Sequence, residues 1–317
     1  MEEEKVSILI PVYNRENLIE ETIKCALNQT YENIEIIVVD NKSTDGTWEL
    51  LQQLAQGDKR LKIFHNEKNI GPVRNWKRCI DEATGEYVKI LWSDDLISSD
   101  FIEKTLPFLE NKEVGFVYTK TVLFQDLNDL SNKVYSLGKT GLYKTEKYIQ
   151  GVLFDINYPV SPGCAIFRMT DLRNNLLVDV PNSIGSDFSM HAIGNDMLIF
   201  LLTAQKYNQF AYVDEELSFF RVHNGSITIA SDKGKIPLHY VLAASYFIEN
   251  YRPELVEKHN VNIQNLLRQY KEEAIKYKML GLSDFYIQNK NLKLDYLFIL
   301  QKVIRRIKAN CIFKKYK

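Results

Sequence analysis

The sequence predicts an α/β fold with a mostly parallel sheet flanked by helices, and three observations support this prediction. Short apolar runs rich in branched side chains, such as Val6–Tyr13 and Ile34–Asp40, are typical of buried strands. Between these runs, Ile19, Ile23 and Leu27 recur at helical spacing, while charged residues fall on the other side. The alternation of strand and helix indicates βαβ crossovers, which give parallel sheets.

The same alternation continues through the first two thirds of the chain. Leu50, Leu51 and Leu54 have the spacing of a second helix. Pro72 suits the first turn of a third helix, where its missing N–H costs nothing. The predicted strands are, in chain order, Val6–Tyr13, Ile34–Asp40, Leu61–Phe64, Glu86–Trp92, Val114–Phe124, Cys164–Arg168, Phe210–Val213 and Leu217–Val222.

Beyond the last predicted strand the pattern becomes helical. Polar and glycine residues gather at Ser226–Lys235, so we divide the chain into a domain of residues 1–230 and a helical region of residues 231–317. Residues 293–317 carry eight basic side chains and one acidic side chain among many apolar residues. A basic amphipathic helix of this kind can lie on an anionic membrane surface. The alternative is a terminal helix that packs on the core and turns a solvated basic face outward.

Composition excludes several classes of protein. The 317 residues are 45% hydrophobic and 26% charged, with a formal net charge of -1. This near-neutral total argues against a nucleic-acid partner. The acidic N-terminus carries no basic signal-peptide region, and no apolar run reaches the roughly 20 residues that span a bilayer. Four widely spaced cysteines without a CxxC pair indicate buried free thiols in a reducing cytoplasm.

Two adjacent acids, Asp94 and Asp95, follow a predicted buried strand. Ligands of such sheets bind beyond the carboxyl ends of the strands, so function is expected at this position. Neighbouring carboxylates repel each other unless a positive charge is present. Mg²⁺ or Mn²⁺ bound to a diphosphate is a suitable partner, since these ions take one or two carboxylates together with phosphate oxygens. The alternative is a solvated turn that caps the next helix.

Three further residues are candidates for chemistry. Asp40 ends a buried strand and could accept a hydrogen bond from a nucleobase or a ribose, or cap the following helix. Asp196 precedes an apolar helix and could act as a general base or as a helix cap. His223 follows the last strand and could bind a metal or a phosphate, although a lone histidine is more often structural.

Taken together, these segments resemble glycosyltransferase family 2, the inverting enzymes of the GT-A fold. The opening strand and the acidic segment at Asp94–Asp95, which looks like the family's DxD segment, are together quite specific. The other blocks are weaker when taken alone. The similar segments are, in order, Val6–Asn14, Ile37–Thr47, Asn69–Gly71 with Arg74–Asn75, Gly85–Asp95, Asn195–Asp196 and Tyr212–His223.

The resemblance implies a role for each matching position. Pro11, Tyr13 and Asp40 would hold the base, and Arg74 would lie near the nucleotide. Asp94 would meet the ribose or the metal shell, Asp95 would bind Mn²⁺ or Mg²⁺, Asp196 would be the catalytic base, and His223 would assist the metal or the diphosphate.

Three positions depart from the family pattern. Trp92 stands where the first acid of the DxD segment often stands, so the metal site has one fewer carboxylate. Asn41 replaces the second acid of the turn after Asp40. Asn195 replaces the glutamate that usually precedes the base, which affects the geometry expected on the acceptor side.

The resemblance implies an inverting, metal-dependent transfer from a nucleotide diphosphate sugar, with UDP favoured, to a glycan or lipid-linked glycan acceptor in bacterial surface polysaccharide synthesis. The protein would be cytoplasmic, with peripheral attachment at the inner face of the plasma membrane. The main alternative is a degenerate nucleotide-sugar-binding subunit without catalysis, which Trp92 and Asn195 favour. A pyrophosphorylase or dehydrogenase would need a glycine-rich loop after the first strand, and residues 11–15 contain no glycine.

Overall fold

A computed structural model describes residues 4–155, 157–223, 225–226 and 231–304. The chain forms two compact units. Unit 1 comprises Met1–Val180 and Asp187–Ala230, and unit 2 comprises Pro181–Ser186 and Ser231–Lys317. No helix within the described residues is long and apolar enough to cross a bilayer.

Unit 1 is built on one sheet, in which the described residues contribute ten strands. The strand order is β3-β2-β1-β4-β9-β6-β10-β5, while β7 pairs with β6 and β8 pairs with β10. The strands are β1 Val6–Val12, β2 Ile34–Asp40, β3 Leu61–His65, β4 Tyr87–Ile90, β5 Leu96–Ile97, β6 Val114–Phe124, β7 Lys133–Val134, β8 Gly141–Lys144, β9 Ala165–Arg168 and β10 Gln209–Arg221.

The predicted α/β sheet flanked by helices is confirmed, and its strand directions are mixed. Strands β3, β2, β1 and β4 are parallel, as the crossovers predict. β9 runs antiparallel to both β4 and β6, so β6 and its parallel neighbour β10 point the same way as β4. The two short strands predicted at 210–213 and 217–222 are instead one strand, β10, whose pairing with β6 shifts register at Val213/Glu216 and Glu216/Ser218.

Helices cover the sheet of unit 1. Every residue of β1 and β2 is buried, which requires helices on both faces and explains why these strands read as continuous apolar runs. Aromatic side chains pack against β6, where the rings of Phe116 and Phe210 stack with centroids 5.4 Å apart. The helices are α1 Ile19–Leu27, α2 Thr47–Leu54, α3 Pro72–Glu82, α4 Phe101–Thr105, α5 Thr145–Phe154, α6 Met169–Asn175, α7 Phe188–His191 and α8 Asn195–Lys206.

Unit 2 is helical in its described part. Its helices are α9 Lys235–Tyr251, α10 Val256–Gln269 and α11 Lys271–Lys276, and residues 296–304 are also helical. A buried hydrogen bond of 2.9 Å joins Ser245 of α9 to His259 of α10. Burial lowers the pKa of His259 to about 4, so this imidazole is neutral at physiological pH.

The free thiols predicted from cysteine spacing are confirmed for Cys25, Cys79 and Cys164. Cys79 and Cys164 are buried, and Cys25 is partly buried. Burial raises the pKa of Cys25 to about 11, so this thiol stays protonated and unreactive. Cys311 lies outside the described residues.

Candidate functional site

The candidate site lies at the carboxyl edge of the parallel strands. In the sheet register Val12 lies opposite Asp40, and Asp40 lies opposite His65, so β1, β2 and β3 end at the same edge. β4 ends at this edge as well, and β5 follows it and pairs with β10. That pairing brings Asp95, which precedes β5, to the end of β10 at Arg221.

Asp40 is held in a polar turn at this edge. Its carboxylate is fully buried and accepts hydrogen bonds from the Ser43 backbone N–H at 3.1 Å and from the Ser43 hydroxyl. The Asn14 backbone N–H donates to Ser43 Oγ at 2.8 Å, which connects this turn to the segment after β1. Asn14 has a left-handed φ of 52°, a conformation that asparagine tolerates better than most residues. The turns after β1 and β2 are therefore tied into one surface.

The other two residues predicted to bind the base flank this surface. Pro11 is buried within β1, so it supports the edge. The Tyr13 side chain is 41% exposed and can offer a ring face to a flat ligand.

The Asn41 side chain forms hydrogen bonds that fix the turn before α3. Its Oδ1 accepts from Asn66 Nδ2 at 2.9 Å and from the Ile70 backbone N–H at 3.0 Å, while its Nδ2 donates to Asn69 Oδ1 at 3.0 Å. An ionised aspartate only accepts hydrogen bonds, so it could not replace the donating half of this amide. Asn41 therefore fixes the turn that leads into α3.

Gly71 at the start of α3 is in close contact with α7. It has a φ of 85°, and a Cβ placed there would lie 2.7 Å from Met190 Sδ and 3.1 Å from the Ser189 carbonyl oxygen. Only glycine suits this position. Arg74, predicted to lie near the nucleotide, donates to the Ser189 hydroxyl and approaches Asp179 at 3.4 Å. In the structure it thus joins α3 to the segment before Asp196.

Asp94 is the centre of a charged cluster. Its Oδ2 lies 2.9 Å from His223 Nε2 and 3.3 Å from Arg15 Nε. Arg15 also donates to the Asn14 carbonyl at 3.0 Å and to the Gly225 carbonyl at 3.4 Å. The sequence analysis assigned no role to Arg15, although this residue lies in the short segment after the first strand. It links the segment after β1 to the segment after β10.

Asp95 is the buried member of the acidic pair. One of its oxygens accepts from the Arg221 backbone N–H at 2.8 Å, and Arg221 Nε donates to the Asp94 carbonyl at 3.0 Å. Burial, together with the charge of Asp94, raises the pKa of Asp95 well above the usual range of aspartate. A cation at this carboxylate would offset both effects.

The residues present fit a hard divalent cation that brings most of its ligands with it. Within the described ranges, no group of three or more His, Cys, Asp and Glu side chains is arranged to hold a metal. His223, predicted to assist the metal or the diphosphate, contacts Asp94 and so lies beside the acidic pair. Mg²⁺ and Mn²⁺ need only one or two carboxylates when phosphate oxygens complete the shell, which Asp94 and Asp95 could supply.

Asp196 lies at the N-terminus of α8, where the helix dipole favours a carboxylate. Its Oδ1 accepts from the Gly194 backbone N–H at 3.1 Å and from the Met197 backbone N–H at 2.8 Å. The phenol of Tyr135 interacts electrostatically with both Asp196 and Asp95. The segment just before Asp196 also contacts the start of α3, where Gly71 lies against Met190 and Arg74 donates to Ser189.

The two other departures from the family pattern make structural contacts. Trp92 Nε1 donates to Ser161 Oγ at 2.8 Å, and its ring packs on Trp76 with centroids 4.8 Å apart. Asn195 Nδ2 donates to the Leu177 carbonyl at 2.8 Å. Its buried Oδ1 has no hydrogen-bond partner among the residues that the structure describes.

Lys89 is a second residue to which the sequence analysis assigned no role. It is fully buried in β4 and donates to the Gly163 carbonyl. Burial lowers its pKa to about 8, and the charge of Asp95 acts against that shift. A lysine within an otherwise apolar strand was the signal in the sequence. The positive charge of Lys89 interacts favourably with the ionised carboxylate of Asp95.

The sheet order and the acids beyond its parallel strands define the GT-A class of nucleotide-diphospho-sugar transferase folds. The crystal structure of Staphylococcus aureus TarS 1-349 has this fold. It matches the chain with a TM-score of 0.64 and 19% identity, over 89% of this chain and 80% of that one. At this identity the likeness shows the fold.

Residues 7–176 match the description of glycosyl transferase family 2, and the chain belongs to that family. An uncharacterised glycosyltransferase of Rickettsia conorii is 32% identical over 78% of this chain, although the match spans only 37% of the relative's own length. A Bacillus subtilis glycosyltransferase assigned to teichuronic acid biosynthesis, TuaG, is 34% identical over 41% of this chain and 52% of its own length. Both relatives are glycosyltransferases, which agrees with the family match.

Proposed function

We propose that this chain is an inverting glycosyltransferase that moves a sugar from a nucleotide diphosphate sugar, with a UDP sugar favoured, to an acceptor hydroxyl. The observation that supports this most is that three separate stretches of chain are joined at the carboxyl edge of the parallel strands: Asp40 to the turn after β2, Asp95 to the end of β10, and the segment before Asp196 to the start of α3. In a direct displacement the acceptor must lose a proton while charge grows on the departing diphosphate. Groups at different points of one edge can serve both needs.

On the donor side, Tyr13 would pack on the base and Asp40 would accept a hydrogen bond from it, with Pro11 supporting both. Asp94 would approach the ribose, and Arg74 would stay near the nucleotide through its place at the start of α3. TarS, which shares the fold, has been solved with UDP-GlcNAc, and this favours UDP among the nucleotides.

On the acceptor side, Asp196 would take the proton of the attacking hydroxyl. Attack from the face opposite the diphosphate inverts the anomeric carbon, and no covalent bond to the protein is needed. The backbone N–H groups of Gly194 and Met197 hold one oxygen of Asp196 and so fix the direction of the carboxylate.

Asp95 would bind Mn²⁺ or Mg²⁺, with Asp94 in the surrounding shell and His223 assisting at the metal or the diphosphate. When bound, such an ion neutralises charge on the leaving diphosphate. The backbone N–H of Arg221 would orient the Asp95 carboxylate, and the positive charge of Lys89 would favour its ionised form.

A thermal-shift screen of nucleotide diphosphate sugars, with Mn²⁺ or with EDTA, tests this function. A ligand at about 100 times its Kd stabilises the native state by about 2.7 kcal/mol, which gives a readily measured rise in Tm. We expect the largest rise with one UDP sugar in the presence of Mn²⁺, and a smaller rise in EDTA. If no nucleotide diphosphate or nucleotide sugar raises the Tm, the proposed function is wrong.

A degenerate nucleotide-sugar-binding subunit is the second candidate function. The contacts of Trp92 and Asn195 favour it, because both side chains are engaged in packing at positions where the family carries acids. Both candidates predict donor binding in the thermal-shift screen. Transfer or slow donor hydrolysis by the purified protein would separate the enzyme from the subunit.

We further propose a glycan or lipid-linked glycan acceptor at the inner face of the plasma membrane. In unit 2, the helical residues 296–304 bury Phe298 and turn apolar side chains outward, with Leu297 73% and Leu300 56% exposed. Lys293 and Lys302 flank this apolar stripe, and the remaining basic residues predicted to contact lipid, 305–317, lie outside the described residues. An apolar stripe with basic flanks suits an anionic lipid surface.

Replacing both Leu297 and Leu300 with serine is expected to weaken binding to vesicles of phosphatidylglycerol and phosphatidylcholine by at least about tenfold. Each buried leucine contributes roughly 1.5–3 kcal/mol when it leaves water, and serine loses that gain. Sedimentation with the vesicles measures the change. Leu127→Ser, at an apolar side chain of unit 1 that is 48% exposed, is the matched control. Equal sedimentation of the double variant and the wild type would contradict the membrane surface.

A further inference from the structure

The backbone of Arg15 is fixed at the carboxyl edge of the sheet. Arg15 lies three residues after the end of β1, and its N–H donates at 2.8 Å to the hydroxyl of the buried Thr47, where α2 begins. Its carbonyl accepts from the N–H groups of Leu18 and Ile19, each at 3.0 Å, where α1 begins. Because both of its backbone groups are bonded, its side chain starts from a fixed point beside the acidic pair.

The described residues engage only part of the Arg15 guanidinium. Its Nε lies 3.3 Å from Asp94 Oδ2, an oxygen that also lies 2.9 Å from His223 Nε2. The other two contacts are to backbone carbonyls, of Asn14 at 3.0 Å and of Gly225 at 3.4 Å. A guanidinium has five N–H donors, so two of them have no partner within the described residues. The side chain is 22% exposed, and a ligand at this edge can reach it.

Arg221 also contacts Asp94, but its side chain is bound more completely. Its Nε donates to the Asp94 carbonyl at 3.0 Å, and its Nη2 donates to Glu21 at 2.5 Å. Its guanidinium lies over the Phe124 ring, 4.7 Å from the centroid. These contacts hold the end of β10, so Arg221 could not turn to a ligand without breaking them. Arg15 would give up an ion pair that a cation at Asp94 can replace.

We propose that Arg15 binds the diphosphate of the sugar donor. This inference rests on the proposed function, in which Asp94 lies in the shell of the metal. A cation at the acidic pair weakens the attraction between Asp94 and Arg15, while the diphosphate adds negative charge at the same place. A guanidinium binds phosphate oxygens with two parallel N–H groups, which the ammonium of lysine does not offer. Arg15 would then stabilise the charge that grows on the departing diphosphate.

Titration of the full chain with UDP and with uridine, both in the presence of Mn²⁺, tests this role. Arg15→Gln is expected to bind UDP about tenfold more weakly or worse, as the loss of a charge-assisted hydrogen bond predicts, and to bind uridine as the wild type does. Arg15→Lys should recover part of the UDP affinity, because it keeps the charge without the paired donors. Calorimetry measures UDP binding, and ligand-observed NMR measures the weaker uridine binding. A structural role in the turn after β1 would weaken both ligands alike.

Arg60→Gln is the matched control. Arg60 also pairs with one acid, Asp58, at 2.8 Å and donates to one backbone carbonyl, that of Leu27, at 3.0 Å. It directly precedes β3 and so lies at the amino end of the parallel strands, away from the proposed site. The variant should change neither affinity.

A double variant separates direct contact with the diphosphate from an effect through Asp94. In an Asp94→Asn background, Arg15→Gln should still lower the affinity for UDP, because a direct contact does not depend on the carboxylate. Three results would overturn the role of Arg15 and leave the proposed function intact: no further loss in that background, an unchanged UDP affinity of Arg15→Gln, or an equal loss for uridine. A wild type that binds neither UDP nor any nucleotide sugar would overturn the proposed function, and this inference with it.

Discussion

Replacing Asp196 with asparagine is expected to lower the rate of sugar transfer by about 10²-fold or more, with donor affinity nearly unchanged. Asparagine has the same shape, and its Oδ1 can still accept from the Gly194 and Met197 backbone N–H groups. The start of α8 should therefore keep its structure. Asparagine cannot take a proton from the acceptor hydroxyl, so the loss should fall on the chemical step.

The rate of UDP release in the presence of acceptor glycan, together with calorimetric titration of the donor, measures both quantities. Asp187→Asn is the control, because Asp187 is also an acid at a helix start and accepts from the Ser189 backbone N–H at 3.0 Å. That variant should transfer sugar at nearly the wild-type rate. Near wild-type turnover of Asp196→Asn would remove this residue from the mechanism. A matching loss of donor affinity would show that it serves binding instead.

The strands that hold the site could be predicted because burial on both faces leaves a pattern in the sequence. β1 and β2 are buried throughout and mostly apolar, so the acid that ends β2, Asp40, stands out by contrast. The pairing of distant strands leaves no comparable pattern. β9 pairs antiparallel with both β4 and β6, and short apolar segments do not reveal their partners or direction.

The contacts that shape the site were harder to predict than its acids. In the sequence Asn41 and Trp92 are departures from a family pattern. In the structure the Asn41 side chain forms hydrogen bonds with the segment that leads into α3, and Trp92 donates a hydrogen bond to Ser161. The left-handed turn at Tyr135 is held by the side chain of Asn157. Such contacts join residues far apart in the chain, so the spacing of neighbouring residues cannot predict them.

Replacing Asp95 with asparagine is expected to abolish the part of donor binding that depends on Mn²⁺. The side chain keeps its size and can still accept from the Arg221 backbone N–H, so the end of β10 should be preserved. What is lost is the negative charge that a hard cation requires. Donor affinity measured with and without Mn²⁺ should differ in the wild type and agree in the variant. A variant that keeps the wild-type response to Mn²⁺ would refute the metal role of Asp95.

Asp100→Asn provides the control for this prediction. Asp100 belongs to the same stretch of chain, but its carboxylate contacts Ser98 and Lys104. That variant should keep the full response to Mn²⁺, because the Asp100 carboxylate is paired with Ser98 and Lys104 and makes no contact with Asp94 or Asp95 in the described part of the chain.

The raised pKa of Asp95 adds a dependence on pH to the same experiment. Where the native carboxyl holds its proton more tightly than the unfolded one, stability falls as the pH rises above the ordinary aspartate pKa. Without metal, Asp95→Asn should therefore gain stability over the wild type as the pH rises above the ordinary aspartate pKa, since asparagine has no proton to lose. Mn²⁺ must displace that proton, so its effect on the wild type should strengthen over the same range. Denaturant unfolding at several pH values measures both trends. A stability difference that does not change with pH would show that Asp95 is ionised without a cation, and that its burial is balanced by Lys89 and Arg221 instead.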